Sequence, residues 1–304
     1  MLNKFSSSLY NLIQSSIHHI ITSSYYHIIS LSNHHIITLS HYHIISSTMV
    51  LIQIQQINSA TELLQSASAL ATQLKKTAAV FCFVDRDDLI VEKENELKAL
   101  LKELSMPDTQ FTVRNSTSNT ITSVCEELDA SFLFIQLPNG NTKYIRTLLN
   151  ECRELRIPYL FFKDTFPAMD LTRIVVPIGF LEEEIEKAQF ASAFGRFCGS
   201  RIKLLLANDY GSKAATTAEK MKLLFDKFHL DYTLDKATKD SFKVEVESIL
   251  VAEKEQVGII IISASRDYGL DDILFGPKEY HVVKKSSIPV LLVNPRGDLY
   301  ALCD

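Results

Sequence analysis

From Met49 onward, short runs of apolar residues alternate with longer segments of helical periodicity, and they do so twice. In the first half the runs are "VLIQI" (50–54), "AVFCFV" (79–84), "QFTV" (110–113), "SFLFIQ" (131–136) and "IPYLFF" (157–162). In the second they are "RIVVPI" (173–178), "IKLLLA" (202–207), "DYTL" (231–234), "GIIIIS" (258–263) and "IPVLLV" (288–293). Runs that are apolar almost throughout predict strands covered on both faces, and helix-length spacers predict parallel pairing. The expected architecture is α/β, with two tandem five-stranded parallel-sheet units.

The two halves also align with each other. Placing Val50 on Ile174 carries Leu63 onto Lys187, Ala67 onto Ala191, Ala69 onto Ala193 and Phe81 onto Leu205 without a gap. In the second copy Ile185, Ala188, Ala191, Phe194 and Cys198 follow helical spacing and predict one apolar face against the sheet. Both copies close on the same device, "RIPYLFF" and "SIPVLLV", in which Pro158 and Pro289 open the last strand where no ladder N–H is needed. With "KDTFPAMDLT" (163–172) as linker, the expected domains are 49–163 and 172–298.

Composition changes abruptly at Met49. Between Lys4 and Glu62 there is no Asp, Glu, Lys or Arg, seven of the nine histidines precede Met49, and "HII" recurs with period eight at His19, His27, His35 and His43. An even period holds those histidines on one side of an extended chain, whereas on a helix eight residues rotate the position by roughly 80°. A short β-type stack or a His-rich metal site would fit that pattern. The preferred expectation is that 1–48 is low-complexity leader outside the fold, translated from a repeat upstream of a start at Met49. A secretory signal fits less well, because His and Ser interrupt the apolar residues and no small-residue cleavage site follows.

Bulk properties narrow the function classes. The 304 residues are 46% hydrophobic and 22% charged, enough for two real cores. A formal net charge of −5 gives no broad attraction for nucleic acid or anionic membranes, so neither is an expected partner. The five cysteines, Cys82, Cys125, Cys152, Cys198 and Cys303, are widely spaced and contain no CxxC pair, which signals neither a disulfide framework nor a zinc site and suits a reducing cytoplasm. No apolar run approaches the ~18 residues that span a bilayer.

The second half, from "RIVVPIGFLEEEIEKAQFASAFGRFCGSRIKLLLA" through "GIIIISASRDYGLDDILFGPKEYHVVKKSSIPVLLVNP", resembles the universal stress protein family, and the first half resembles a diverged second copy. The resemblance implies a tandem form with a Rossmann-like, adenine nucleotide alpha hydrolase-like fold in each half. It also implies an intrachain pseudo-dimer about a two-fold axis, joined by 157–162 and 288–293. An apolar strand at a sheet edge is a liability unless paired, which agrees. A homo-oligomer or a protein partner is a further expectation.

Nucleotide-binding members carry G-x-x-G-x9-G-[S/T], and here the spacing survives without its chemistry. Ser263 and Arg266 stand at the first two glycine positions, Gly276 remains, and Pro277 replaces the hydroxyl residue. Side chains at close-approach positions crowd a phosphate. Pro277 lacks both N–H and hydroxyl, although it suits the first position of the following helix. After Pro177 and Ile178, Gly179 stands where the resemblance implies an Asp that contacts the nucleoside. Glu182, Glu183 and Glu184 suit the dipole of the next helix and would oppose an anion. The first-half loop "LPNGNTKYIR" is shorter and lacks a glycine pair, which argues against phosphate there. Pro177, Ile178, Gly179, Ser263, Arg266, Gly276 and Pro277 therefore form a vestigial nucleotide site.

Arg266 permits the opposite argument, since a guanidinium can take a phosphate bidentately. Asp267, Asp271 and Asp272 offer it simpler exposed partners. Lys284 and Lys285 read as complements of a helix C-terminal dipole, and His281 as a packing or surface residue. No G-x-S-x-G elbow, GK[ST] loop or H-E-x-x-H motif occurs. The expected function is binding or regulation in a stress response, non-enzymatic and without cofactor. The alternative is an ATP-binding protein with weak hydrolase or phosphotransfer activity through Arg266 and the Gly276 helix start.

Overall fold

The structure is a computed structural model that describes residues 49–138, 142–265 and 276–296. The His-rich segment before Met49, with each reading given to it, lies outside the described residues, as do Arg266 and its aspartates. Ten strands form one sheet. The first half gives β1 (Met49–Gln53), β2 (Thr77–Val84), β3 (Gln110–Asn115), β4 (Ala130–Leu137) and β5 (Tyr159–Lys163). The second gives β6 (Arg173–Ile178), β7 (Arg201–Leu206), β8 (Tyr232–Lys236), β9 (Ile259–Ser263) and β10 (Val290–Val293). All ten expected runs are strands, with ends displaced by at most two residues.

The order is β3-β2-β1-β4-β5-β10-β9-β6-β7-β8, so each half contributes its strands in the same order outward from the seam. That is the order of two copies related by a pseudo-two-fold axis. Neighbours within a half run parallel. At the seam β5 and β10 run antiparallel, with Leu291 opposite Leu160. Burial follows position: every residue of β4 and β9 is buried, whereas the more polar "YTLDK" of β8 lies largely exposed at the edge.

Eight α-helices are described: α1 (Thr61–Gln73), α2 (Ile90–Glu103), α3 (Ile121–Glu127), α4 (Thr142–Glu151), α5 (Lys187–Ala193), α6 (Lys213–Lys227), α7 (Val244–Glu255) and α8 (Lys278–Lys285). Strand alternation sends Val50 and Ile52 to a core shared with α1, α2, α5 and α6, and Leu51 to a core shared with α3, α4, α7 and α8. Each core runs through both halves. Full burial of one such aliphatic side chain contributes about 1.5–3 kcal/mol. Around α5, a 3-10 turn (Glu182–Glu186) and a π turn (Phe194–Cys198) extend the helical path. Ile185, Ala188, Ala191 and Phe194 are buried along it, as their spacing predicts.

The seam exchanges more than strands. Pro158 and Pro289 accept from the neighbouring strand, Leu133 N–H to Pro158 O and Ile260 N–H to Pro289 O, each at 3.1 Å. Asn294 of the second half donates to Cys152 O (2.7 Å) and Leu155 O (2.9 Å) beyond the end of α4. Lys163 of the first half donates to Lys284 O (2.9 Å) and Ser286 O (2.7 Å) at the end of α8. The linker is packed as well: Phe166 is buried, and Met169 N–H donates to Ser66 Oγ at 2.9 Å. Gly258 is required there, because a Cβ would lie 1.7 Å from Asp170 O.

Candidate functional site

In a parallel sheet the ligand crevice opens beyond the carboxyl ends of the strands, where their order reverses. Here that places one crevice beyond β1 and β4 and another beyond β6 and β9. The repeat makes them counterparts, and their contents differ.

In the second half, Pro177 and Ile178 end β6 and Gly179 follows, with its N–H donated to Glu184 Oε2 at 3.3 Å. Lys187, fully buried, donates to Pro177 O and pairs with Glu184. Lys278, the first residue of α8, reaches Glu245 at 3.0 Å and Glu184 at 3.8 Å. Burial pushes the Glu184 carboxyl up, but the ammoniums of Lys187 and Lys278 outweigh it and hold the group below its ordinary value. For Glu245 burial wins, and its carboxyl is held above the ordinary range. Lys278 sits above an ordinary lysine, because Glu245 and Glu184 overcome the opposing effect of its burial.

The loop after β9 is engaged in the same manner. Glu279, fully buried in the first turn of α8, accepts from Ser265 N–H (3.2 Å) and Ser265 Oγ (2.8 Å). The backbone N–H groups of Gly179 and Ser265 thus both meet carboxylates of the chain itself. Ser263 ends β9 with its hydroxyl buried and without a partner among the described residues. Gly276 takes φ +89°, a conformation that favours glycine. Pro277 is the N-cap and not the first helical residue, so α8 begins one position later than the proline predicts.

The structure brings Pro177, Gly179 and the Pro277–Lys278 helix start together through Glu184. A hollow of about 270 Å³ is lined by Phe180, Asp209, Tyr210, Gly211, Lys213 and Ala214. Arg146 of α4 lies against Gly276: its guanidinium sits 4.9 Å from the Tyr280 ring centre and would lie 3.1 Å from a Cβ at position 276. Lys284 and Lys285 end α8 as expected, and His281 makes an edge contact with Tyr280 at 5.2 Å.

In the first half Gln136 closes the turn after β1. Its buried amide accepts from Gln55 N–H (2.7 Å) and Gln56 N–H (2.9 Å), and donates to Gln56 O (2.9 Å) and Ser59 Oγ (3.2 Å). In the repeat Gln55 falls on Gly179, so an amide here does what Glu184 does there. The crevice stays open, with a volume of about 710 Å³. Asp85 and Glu151 line it, and none of its described lining residues is Lys or Arg. Burial pushes the Glu151 carboxyl up. The Tyr144 hydroxyl is raised by burial and by the negative charges of Glu151 and Asp85. Gln53 Oε1 and Gln55 Nε2 are buried without partners among the described residues.

Sequence reasoning missed Glu184 as an inward residue, Glu279, Gln136 and the whole open crevice. A readable signal existed for the last two: "QIQQ" and "FIQ" put amides at the ends of otherwise apolar strands.

The sequence matches no family model, and no curated protein matches it. Solved structures do. A universal stress protein from Archaeoglobus fulgidus is 14% identical with TM-score 0.63, over 83% of this chain and 98% of that one. A Pseudomonas aeruginosa protein provisionally classed as a universal stress protein is 15% identical with TM-score 0.58, over 86% and 98%. The chain has the fold of the universal stress proteins. The same fold extends to the cytoplasmic domain of a prokaryotic cation chloride cotransporter, at 13% identity and TM-score 0.52 over 84% and 98%, so fold alone does not assign an activity. Among the described residues no helix is long and apolar enough to cross a membrane.

Proposed function

We propose that the chain is a cytoplasmic, non-enzymatic binding or regulatory protein of the universal stress protein type, acting in a stress response, with a vestigial nucleotide site in its second half. One observation carries this reading. The N–H groups of Gly179, at the implied nucleoside-contact position, and of Ser265, between the first two glycine positions of the implied phosphate loop, are engaged by Glu184 and Glu279. A triphosphate entering there would face buried carboxylates and would have to displace them, at a desolvation and repulsion cost of several kcal/mol. Exposed Tyr210 and Phe242 near that mouth support work through protein contacts, with a second copy or another protein.

The test is thermal denaturation of the full chain with ATP and magnesium. A ligand present at 100 times its Kd would add about 2.7 kcal/mol, and the reading expects no such shift. ATP-dependent stabilisation abolished by Arg146→Ala would overturn it. The competing reading, an ATP site at the Gly276 helix start with weak hydrolase or phosphotransfer activity, draws support from the Arg146 guanidinium beside that turn.

A further inference from the structure

The first-half crevice has three properties that together define a ligand. It is open and large enough for a small molecule, at about 710 Å³. Two carboxylates, Asp85 and Glu151, line it, with no lysine or arginine among the described lining residues. Its hydrogen bonding is incomplete among the described residues, because Gln53, 2% exposed, leaves Oε1 without a donor and Gln55 leaves Nε2 without an acceptor. Buried polar atoms are normally satisfied, and both of these belong to residues that line the crevice.

We propose that this crevice binds a small organic cation carrying N–H donors and one hydrogen-bond acceptor, of the guanidino- or amino-amide class. The donors would go to Asp85, Glu151 and Gln53 Oε1, and the acceptor to Gln55 Nε2. Phe83 and Tyr144, also in the lining, supply aromatic surface suited to a flat cation. Glu151 is held partly toward its neutral form by burial, and a cation beside it relieves that penalty. A nucleotide is the wrong sign for this site. The assignment is independent of the second-half reading, since failure of ATP to bind there leaves it untouched.

Calorimetry on the full chain at low salt, with L-argininamide as probe and AMP as counter-probe, tests it. Argininamide is expected to bind and AMP to give no heat of binding. Asp85→Asn and Glu151→Gln should each weaken argininamide roughly tenfold or more, the size of a lost charged hydrogen bond. Glu219→Gln, on the exposed face of α6, should leave affinity unchanged. Absence of argininamide binding by the folded wild-type chain overturns the proposal. So does equal weakening by all three variants, which would mean general attraction to an acidic protein, and so does AMP binding that the two crevice variants strengthen.

Discussion

At matched places in the repeat, the first half holds Ala60 and Leu63 where the second holds Glu184 and Lys187, and all four are buried. The first pair extends the apolar core beside β1. The second begins a chain of charges that runs through Lys278 to Glu245 beyond β6. One backbone thus sustains two crevices of different kind: one holding charges that satisfy one another, the other open with carboxylates that no described lining cation neutralises. The difference teaches that charge enters a buried crevice as a set, because a single uncompensated member would not be tolerated.

The largest expected effect lies at the seam that both halves share. Leu291→Lys or Leu160→Lys would place an ammonium between fully buried partners, at a cost of several kcal/mol. Chemical denaturation should show a collapse of stability in either variant, and unchanged stability would mean that the halves do not depend on the seam.

Next comes the charged set itself. Lys187→Leu alone leaves Glu184 buried with only the more distant Lys278, and should cost about 3–5 kcal/mol. The double variant Glu184→Ala and Lys187→Leu copies the first-half pair and should recover most of that loss, measured as a double-mutant cycle. Glu184 also sets a pH dependence: its carboxyl is lowered in the folded state, so its stabilisation is present above the unfolded value near 4.5 and is lost as pH falls through the lower folded value. Urea titrations of wild type and double variant should diverge in the acid range, with the wild type the more sensitive.

A smaller effect belongs to the first half. Gln136→Leu would strand the N–H groups of Gln55 and Gln56, at about 1–3 kcal/mol for each group left unsatisfied, less whatever water restores through the open crevice. Smallest is Glu151→Gln. Its carboxyl is raised in the folded state, which penalises the charged form at neutral pH, so the ligand-free variant should melt slightly higher than wild type. A lower melting temperature would show that Glu151 is already compensated.

The sheet was legible because parallel strands covered on both faces must be apolar along their whole length, and "GIIIIS" or "SFLFIQ" admits few other readings. The less apolar "QFTV" and "DYTL" mark the edges for the same reason. The crevices were harder. "EEE" at 182–184 reads as a solvated helix start, yet Glu184 turns inward because Lys187 stands one turn on and Lys278 arrives from far along the chain. Spacing along one segment carries no trace of the second partner. In the first half, attention to the short loop argued against phosphate but left the amides at the ends of β1 and β4 unread.

The crossed caps at the seam mean that chain continuity is not what holds the molecule together. Asn294 finishes the first half's last helix and Lys163 finishes the second's, so each half carries a piece of its sibling's fold. A nick within 164–172 should yield two fragments that co-purify. Either half made alone would offer an apolar edge strand and unmet carbonyls to solution, and a second copy of itself is the nearest available substitute for the missing sibling.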